Sequence, residues 1–187
     1  MYTATFANIV LLSLYLQYLL ALSPSQAGLV LVAQPIVMAV VSPLSGRLSD
    51  RKEPGVLASF GMALTAIGLG LLSTLDAQSS VATVIAYLCL TGFGFSFFSS
   101  PNANAIMGSV DKHQYGAAGG AVATVRIIGQ MASMAVVSMV FVLTLGAVQI
   151  TPAVYPELAG AIRVSFTIAA LMCVVGIYFS FSRGKVH

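Results

Sequence analysis

The chain has 187 residues, 58% of them hydrophobic and 7% charged, with a formal net charge of +3 and a mean hydropathy of +0.97. A soluble domain keeps about a quarter of its residues charged to wet its surface, so a water-soluble globule is excluded and most of this chain must be solvated by lipid. The positive charge does not point to nucleic acid, because most of the lysines and arginines fall in alternate short breaks between apolar runs and in the tail, and no histidine or cysteine cluster has metal-ligand spacing.

A bilayer core of about 30 Å takes about 20 apolar residues of helix. Six such runs are predicted, at 4–22, 27–46, 55–75, 81–107, 116–147 and 159–182. The first carries Asn8, Tyr15 and Tyr18 on one helical face, with Gln17 nearby. It has no basic region before it and no small-residue cleavage site, so a signal peptide is not expected. The missing basic flank is what a truncation, or an internal start within a longer membrane protein, would show. The break "SPSQAG" leads into the second run, which contains Gln34 and Pro35; the proline is predicted to kink it. "RLSDRKEPG" follows, and its Pro54 suits the first turn of the third run. After "DAQSS" the fourth run brings Gly92, Gly94, a kink at Pro101, and the amides Asn102 and Asn104. "VDKHQYG" opens the fifth run and "QITPAVYPE" separates it from the sixth. Breaks this short imply antiparallel neighbours. The prediction is an all-α polytopic bundle in one membrane domain, 1–187, with no linker and no soluble domain. Cys89 and Cys173 lie in apolar runs and read as small buried hydrophobes rather than a disulfide.

The basic residues alternate. Arg47, Arg51 and Lys52, then Lys112, then Arg183 and Lys185 mark one side, whereas the other breaks hold Asp76 and Glu157, with Arg163 as the exception. By the positive-inside rule the basic breaks and both termini face the cytoplasm.

Apart from Arg163 near the start of the sixth run, one charge falls inside a run. Stepping by three and four from Arg126 gives Gly119, Ala123, Gln130 and Ser133, with Gly129 adjacent, while Val125, Ile128, Met131 and Met139 form the opposite side. Small residues let helices approach closely, so Arg126 is expected to face protein or a wet cavity. Residues 127–148 could span unaided, which puts Arg126 in the cytoplasmic third. Intramembrane arginines are candidate functional groups; the alternative is a structural arginine bonded to helix-end carbonyls or amides. With all five carboxylates read into breaks, its expected partners are a carbonyl, Asn102 or Asn104, an acid from another bundle, or an anionic substrate.

Three stretches carry a resemblance: "YLQYLLALSPSQAGL", "SPLSGRLSDRKEPG" and the glycine-rich pair of runs from Leu90 to Val137. Together they resemble the C-terminal half of a major facilitator superfamily transporter, and within it the fourteen-helix drug–proton antiporter branch. The Gly-x-Leu-x-Asp-Arg element of that branch falls on Gly46, Leu48, Asp50 and Arg51, after which Lys52-Glu53-Pro54-Gly55 departs from the family pattern. The resemblance implies that this element governs switching between inward- and outward-facing states, although a solvated basic loop would fix topology equally well. It also implies a substrate cavity lined by the first and fourth helices. Asn8, Tyr15, Tyr18, Asn102, Asn104, Gln17 and Gln34 then become pathway candidates beside Arg126, with interfacial anchoring or packing as the plainer role for the tyrosines. It implies a second six-helix bundle, either the other half of a longer chain or another copy, and a proton site supplied by that bundle. The expected setting is a bacterial cytoplasmic membrane, with lipid and a small organic molecule as partners and no cofactor.

Rival classes leave weaker traces. An intramembrane protease needs a Gly-x-Ser-Gly nucleophile and a membrane histidine, and both are missing; His113 and His187 fall in a break and the tail. The filter and Asn-Pro-Ala boxes of channels are also missing; "SPNANA" is only superficially close. A truncated bundle that moves nothing, or a dimeric half-carrier for an anionic metabolite, stays open.

Overall fold

The structure, a computed structural model, describes residues 1–49, 51, 53–146 and 151–181. Asp50 and Lys52 of the loop element, and Arg183 and Lys185 of the tail, lie outside the described residues. Among the described residues the chain is helical throughout, with no strand. The elements are α1 (Tyr2–Thr5), α2 (Asn8–Leu14), a π turn (Tyr15–Leu19), α3 (Pro24–Leu31), α4 (Ala33–Ser49), α5 (Pro54–Leu72), α6 (Val81–Gly108), α7 (Tyr115–Thr144) and α8 (Tyr155–Phe181).

Five stretches are long and apolar enough to cross a bilayer: Pro24–Ser49, Gly55–Leu72, Val81–Gly108, Lys112–Thr144 and Pro152–Phe179. The first predicted run departs from an unbroken helix over 4–22. It begins at Tyr2, is interrupted between α1 and α2, and widens into the π turn, where the Leu20 amide donates to the Tyr15 carbonyl at 3.2 Å. Ala21 then takes a left-handed φ of 52°, which lets the Leu22 amide donate to the Leu16 carbonyl at 3.0 Å. The π turn widens one helical turn, so Tyr18 follows Tyr15 in a different register from that of a continuous α-helix.

Local chemistry explains the other boundaries. The second span starts three residues earlier than predicted because Pro24 occupies the first turn and Ser23 caps it. Ser23 Oγ accepts from the Gln26 amide at 3.3 Å, and Gln26 Oε1 accepts from the Ser23 amide at 3.0 Å. This reciprocal box satisfies two orphan helix-end donors. The span breaks at Val32, between α3 and α4. Pro35 has no amide proton to offer the carbonyl four residues back, which leaves the Leu31 carbonyl without its helical donor beside this break. Pro101 lies within α6, as does Pro43 within α4. A short 3-10 turn, Pro152–Val154, starts α8 at Tyr155 rather than 159. Glu157 therefore belongs to the first turn of α8 and not to the preceding break, where the positive end of the helix dipole favours a carboxylate.

The helices pack through small residues. α6 lies against both α4 and α5, α5 lies against α8, and the first span touches α7 and α8. A Cβ on Gly61 would sit 2.5 Å from the Gly94 carbonyl oxygen and the Phe98 amide, and a Cβ on Gly94 would sit 2.7 Å from the Thr65 amide. The two backbones thus touch where α5 and α6 cross. Gly92 similarly admits the Gln34 backbone of α4, at 2.8 Å from where its Cβ would be. Hydroxyls beside these contacts bond inside their own helices: Thr65 to the Gly61 carbonyl and Ser96 to the Gly92 carbonyl, both at 2.9 Å. These two hydroxyls are thus satisfied without a partner across the seam. Leu11, Leu12, Leu16, Leu69, Leu88 and Phe166 close the core. Both cysteines are free.

Gly61→Ala and Gly94→Ala should each lower the thermal midpoint of the chain in detergent, by the roughly 1–3 kcal/mol that overpacking against an unyielding neighbour costs. Gly70→Ala, whose Cβ would meet nothing within 4 Å, should leave the midpoint unchanged or raise it.

Candidate functional site

Arg126 is the twelfth residue of α7, about 16 Å along the helix at roughly 1.5 Å per residue. Its guanidinium lies over the Tyr2 ring, 5.1 Å from the centroid, and Nη2 donates a long hydrogen bond of 3.4 Å to the Tyr2 hydroxyl. Tyr2 in turn meets Phe95 and Phe98 of α6 edge-on, with ring centroids at 5.8 and 6.1 Å. Gly129 permits this approach: a Cβ there would come within 3.1 Å of Tyr2 Cβ. One turn further along α7, Ser133 Oγ accepts from the Ala7 amide at 3.2 Å. The small stripe of α7 therefore meets the first span at Gly129 and Ser133, while Val125, Ile128, Met131 and Met139 stand exposed opposite it.

The result is a cation backed by three aromatic rings at the surface of the bundle. Arg126 is itself exposed, so its stacking on Tyr2 contributes only about 0.5–1 kcal/mol. Among the described residues the Tyr2 hydroxyl is the acceptor its donor fork meets. Tyr2 was missed because it lies ahead of the predicted start of the first run, outside the segment whose faces were compared. Neither Asn102 nor Asn104 is the partner of Arg126 among the described residues.

The other candidates are dispersed. Asn8 is buried, 1% exposed, at the junction of the first span with α7 and α8. Tyr15 is also buried and donates to the Asp76 carbonyl at 2.6 Å. Tyr18 meets the ring of Tyr155 edge-on at 6.2 Å. Gln17 donates to Ser13 Oγ at 2.7 Å. Gln34 packs under Gly92, and Asn102 is half-buried on α6. Asn104 Nδ2 donates to Ser49 Oγ at 2.7 Å, and Ser49 passes its own proton to the Gly46 carbonyl at 2.7 Å. Ser100 Oγ donates to the Ser42 carbonyl at 3.2 Å just above. Gly46 and Leu48 of the loop element thus lie on the last turns of α4, tied to α6 by a hydroxyl ladder, with Arg47 and Arg51 exposed beside them. Among the described residues no group of three or more His, Cys, Asp or Glu lies together as a metal site.

Sequence comparison agrees with this architecture. The model of the Major Facilitator Superfamily matches residues 1–185. The chain belongs to that superfamily. It is 34% identical over 138 residues to the uncharacterized transporter YebQ of Escherichia coli K12, covering 74% of this chain and 30% of that one. It is 30% identical over 167 residues to the riboflavin transporter RibZ of Clostridioides difficile, covering 89% and 37%. It is 30% identical over 144 residues to the multidrug resistance protein Stp of Mycobacterium tuberculosis, covering 77% and 27%. The chain spans about a third of the length of these superfamily relatives.

The end of this superfamily bundle that carries Asp76 is closed by a polar clasp. Asp76 Oδ1 accepts from the Gln78 amide and from Ser79 Oγ, both at 2.9 Å, and Ser79 Oγ accepts from the Asp76 amide at 3.0 Å. These bonds, led by the Ser79 hydroxyl, hold the exposed Asp76 carboxyl below its ordinary value. The Asp76 carbonyl meanwhile receives the Tyr15 hydroxyl, so this turn anchors the end of the first span. A lowered carboxyl gives stability that is complete above the ordinary carboxylate range and fades as pH falls through the lowered value. Protection of the Gln78 and Ser79 amides from hydrogen exchange should therefore hold at neutral pH and drop on acidification below about pH 4. Asp76→Asn should remove that pH dependence.

Proposed function

We propose that this chain is one half of an alternating-access carrier that exports amphipathic drugs or other small organic molecules across a bacterial cytoplasmic membrane, with both termini on the cytoplasmic side. The observation that carries this reading is Arg126 stacked on Tyr2 and backed by Phe95 and Phe98. An exposed guanidinium fork offers hydrogen bonds to acceptor groups of a substrate, and the rings offer stacking faces. A second six-helix bundle, from a longer chain or another copy, completes the cavity. It also supplies the proton-exchanging carboxylate, since the described acids Glu53, Asp76, Asp111 and Glu157 all lie at helix ends or in loops. Several superfamily relatives are named for drug resistance and one for riboflavin, which fits cargo with flat rings. The reading is that of a carrier and not an enzyme.

Gating is assigned to the α4–α6 ladder. The Asn104–Ser49–Gly46 chain of hydrogen bonds sets the position of the last turn of α4, and with it the loop that follows, when the bundle rocks. Asn104 is on this view a positioning residue.

In inverted vesicles from membranes expressing the protein, Arg126→Lys keeps the charge and loses the planar fork. Flux of an aromatic dye should fall about tenfold at equal protein abundance, a loss worth roughly 1.4 kcal/mol. Unchanged flux would remove Arg126 from the pathway. Asn104→Ala should lower the maximal rate several-fold and leave the half-saturating dye concentration as it was. A rise in that concentration would mean that Asn104 touches the substrate instead.

A further inference from the structure

The junction between the first span, α7 and α8 holds a polar group that the transport reading does not use. Asn8 is 1% exposed, and among the described residues neither its carbonyl oxygen nor its amide nitrogen has a hydrogen-bond partner. A buried primary amide without partners is strongly disfavoured in an apolar setting. The side chain lines a cavity of about 10 Å³ shared with Thr3, Leu11, Ser133, Ser165 and Met172, which is room for one water and nothing larger.

Two serines there have spare capacity of opposite sense. Ser133 Oγ already accepts from the Ala7 amide, so its own proton is available to donate. Ser165 Oγ already donates to the Ala161 carbonyl at 2.8 Å, so its lone pairs are available to accept. Asn8 offers both a donor and an acceptor. A water makes about two to four hydrogen bonds in such a site, and this set can saturate one: protons from Asn8 and Ser133 in, protons to Ser165 and the Asn8 carbonyl out. The lining residues hold no carboxylate to neutralise an ion, so a bare cation of the same size would be a buried uncompensated charge.

We propose that one internal water, bridging Asn8, Ser133 and Ser165, is a built-in part of this three-helix joint. Ser133 also receives the Ala7 amide, and Tyr2 lies about two turns before Asn8, so the water helps to set where Tyr2 stands against Arg126. A water link, unlike a direct bond, can follow small tilts of the first span without losing its partners.

The chain has three asparagines, Asn8, Asn102 and Asn104, so selective nitrogen-15 asparagine labelling yields three side-chain amides. Those of Asn102 and Asn104 are identified by their loss in Asn102→Gln and Asn104→Gln. In bilayer-reconstituted chain, water-to-amide polarisation transfer should reach Asn8 from a slowly exchanging water; no transfer to Asn8 would overturn the proposal. Thermal midpoints of Asn8→Ala, Ser165→Ala and the double variant give an independent reading. The double should lose less than the sum of the singles, although the two side chains share no direct bond; strict additivity would overturn the bridge. Replacing sodium by choline at constant ionic strength should leave the Asn8 signal in place. A sodium-dependent shift would overturn the water and put a cation in the cavity.

Discussion

The contact on which the bundle depends is the crossing of α5 and α6 at Gly61 and Gly94. Lipid tails are as apolar as leucine, so burying leucines does not by itself hold helices together in a bilayer. Close packing does, and it is closest where two backbones meet without side chains between them. From that crossing α6 is fixed against α5, α4 is seated on the other side of α6 through Gly92 and Gln34, and α8 is carried on α5. Phe95 and Phe98 are then presented on α6 close to the crossing itself, so the aromatic backing of Arg126 inherits its position from two glycines. The first span and α7 form a second group, joined at Gly129 and Ser133.

This division gives the half-bundle an uneven interior. The α5–α6 seam keeps its hydroxyls bonded within their own helices. The junction of the first span with α7 and α8 instead leaves Asn8 to be satisfied from a cavity. One seam is a close backbone contact, the other is lined by polar side chains. That suits a carrier in which one set of helices acts as a frame and another adjusts around cargo.

The sequence made the class of fold legible because composition, run length and break chemistry are local quantities. Arg126 stands out for the same reason, as a charge in an apolar run; the small stripe beside it meets the first span at Gly129 and Ser133, while Arg126 itself is exposed. What was not legible depended on other helices or on backbone geometry. The π turn at Tyr15–Leu19 carries no strong sequence signal, since each of its residues is at home in an α-helix, yet it changes the register between Tyr15 and Tyr18. Tyr2 became the partner of Arg126 through packing across more than a hundred positions of chain. Asn104 reads in sequence as a polar group on a cavity helix, and only the nearness of α4 reveals Ser49 as its partner. Glu157 shows that a boundary set by hydropathy can miss a helix start that a 3-10 turn and a favourable dipole make.

The caps have a consequence for how the bundle deforms. At the end near Tyr15, α3 and α6 begin with serine caps, α8 begins with Glu157 in its first turn, and the Asp76 clasp holds the connecting loop. At the opposite end α5 and α7 begin without a side-chain cap. The helices are therefore capped at this end, whereas at the other end hydrogen bonds from Asn104 to Ser49 and from Ser100 to the Ser42 carbonyl join only α4 to α6, leaving α5 and α7 the first to spread. For α5 and α7 the Asp76 end then acts as the pivot, and the swing of their far tips grows with distance from it.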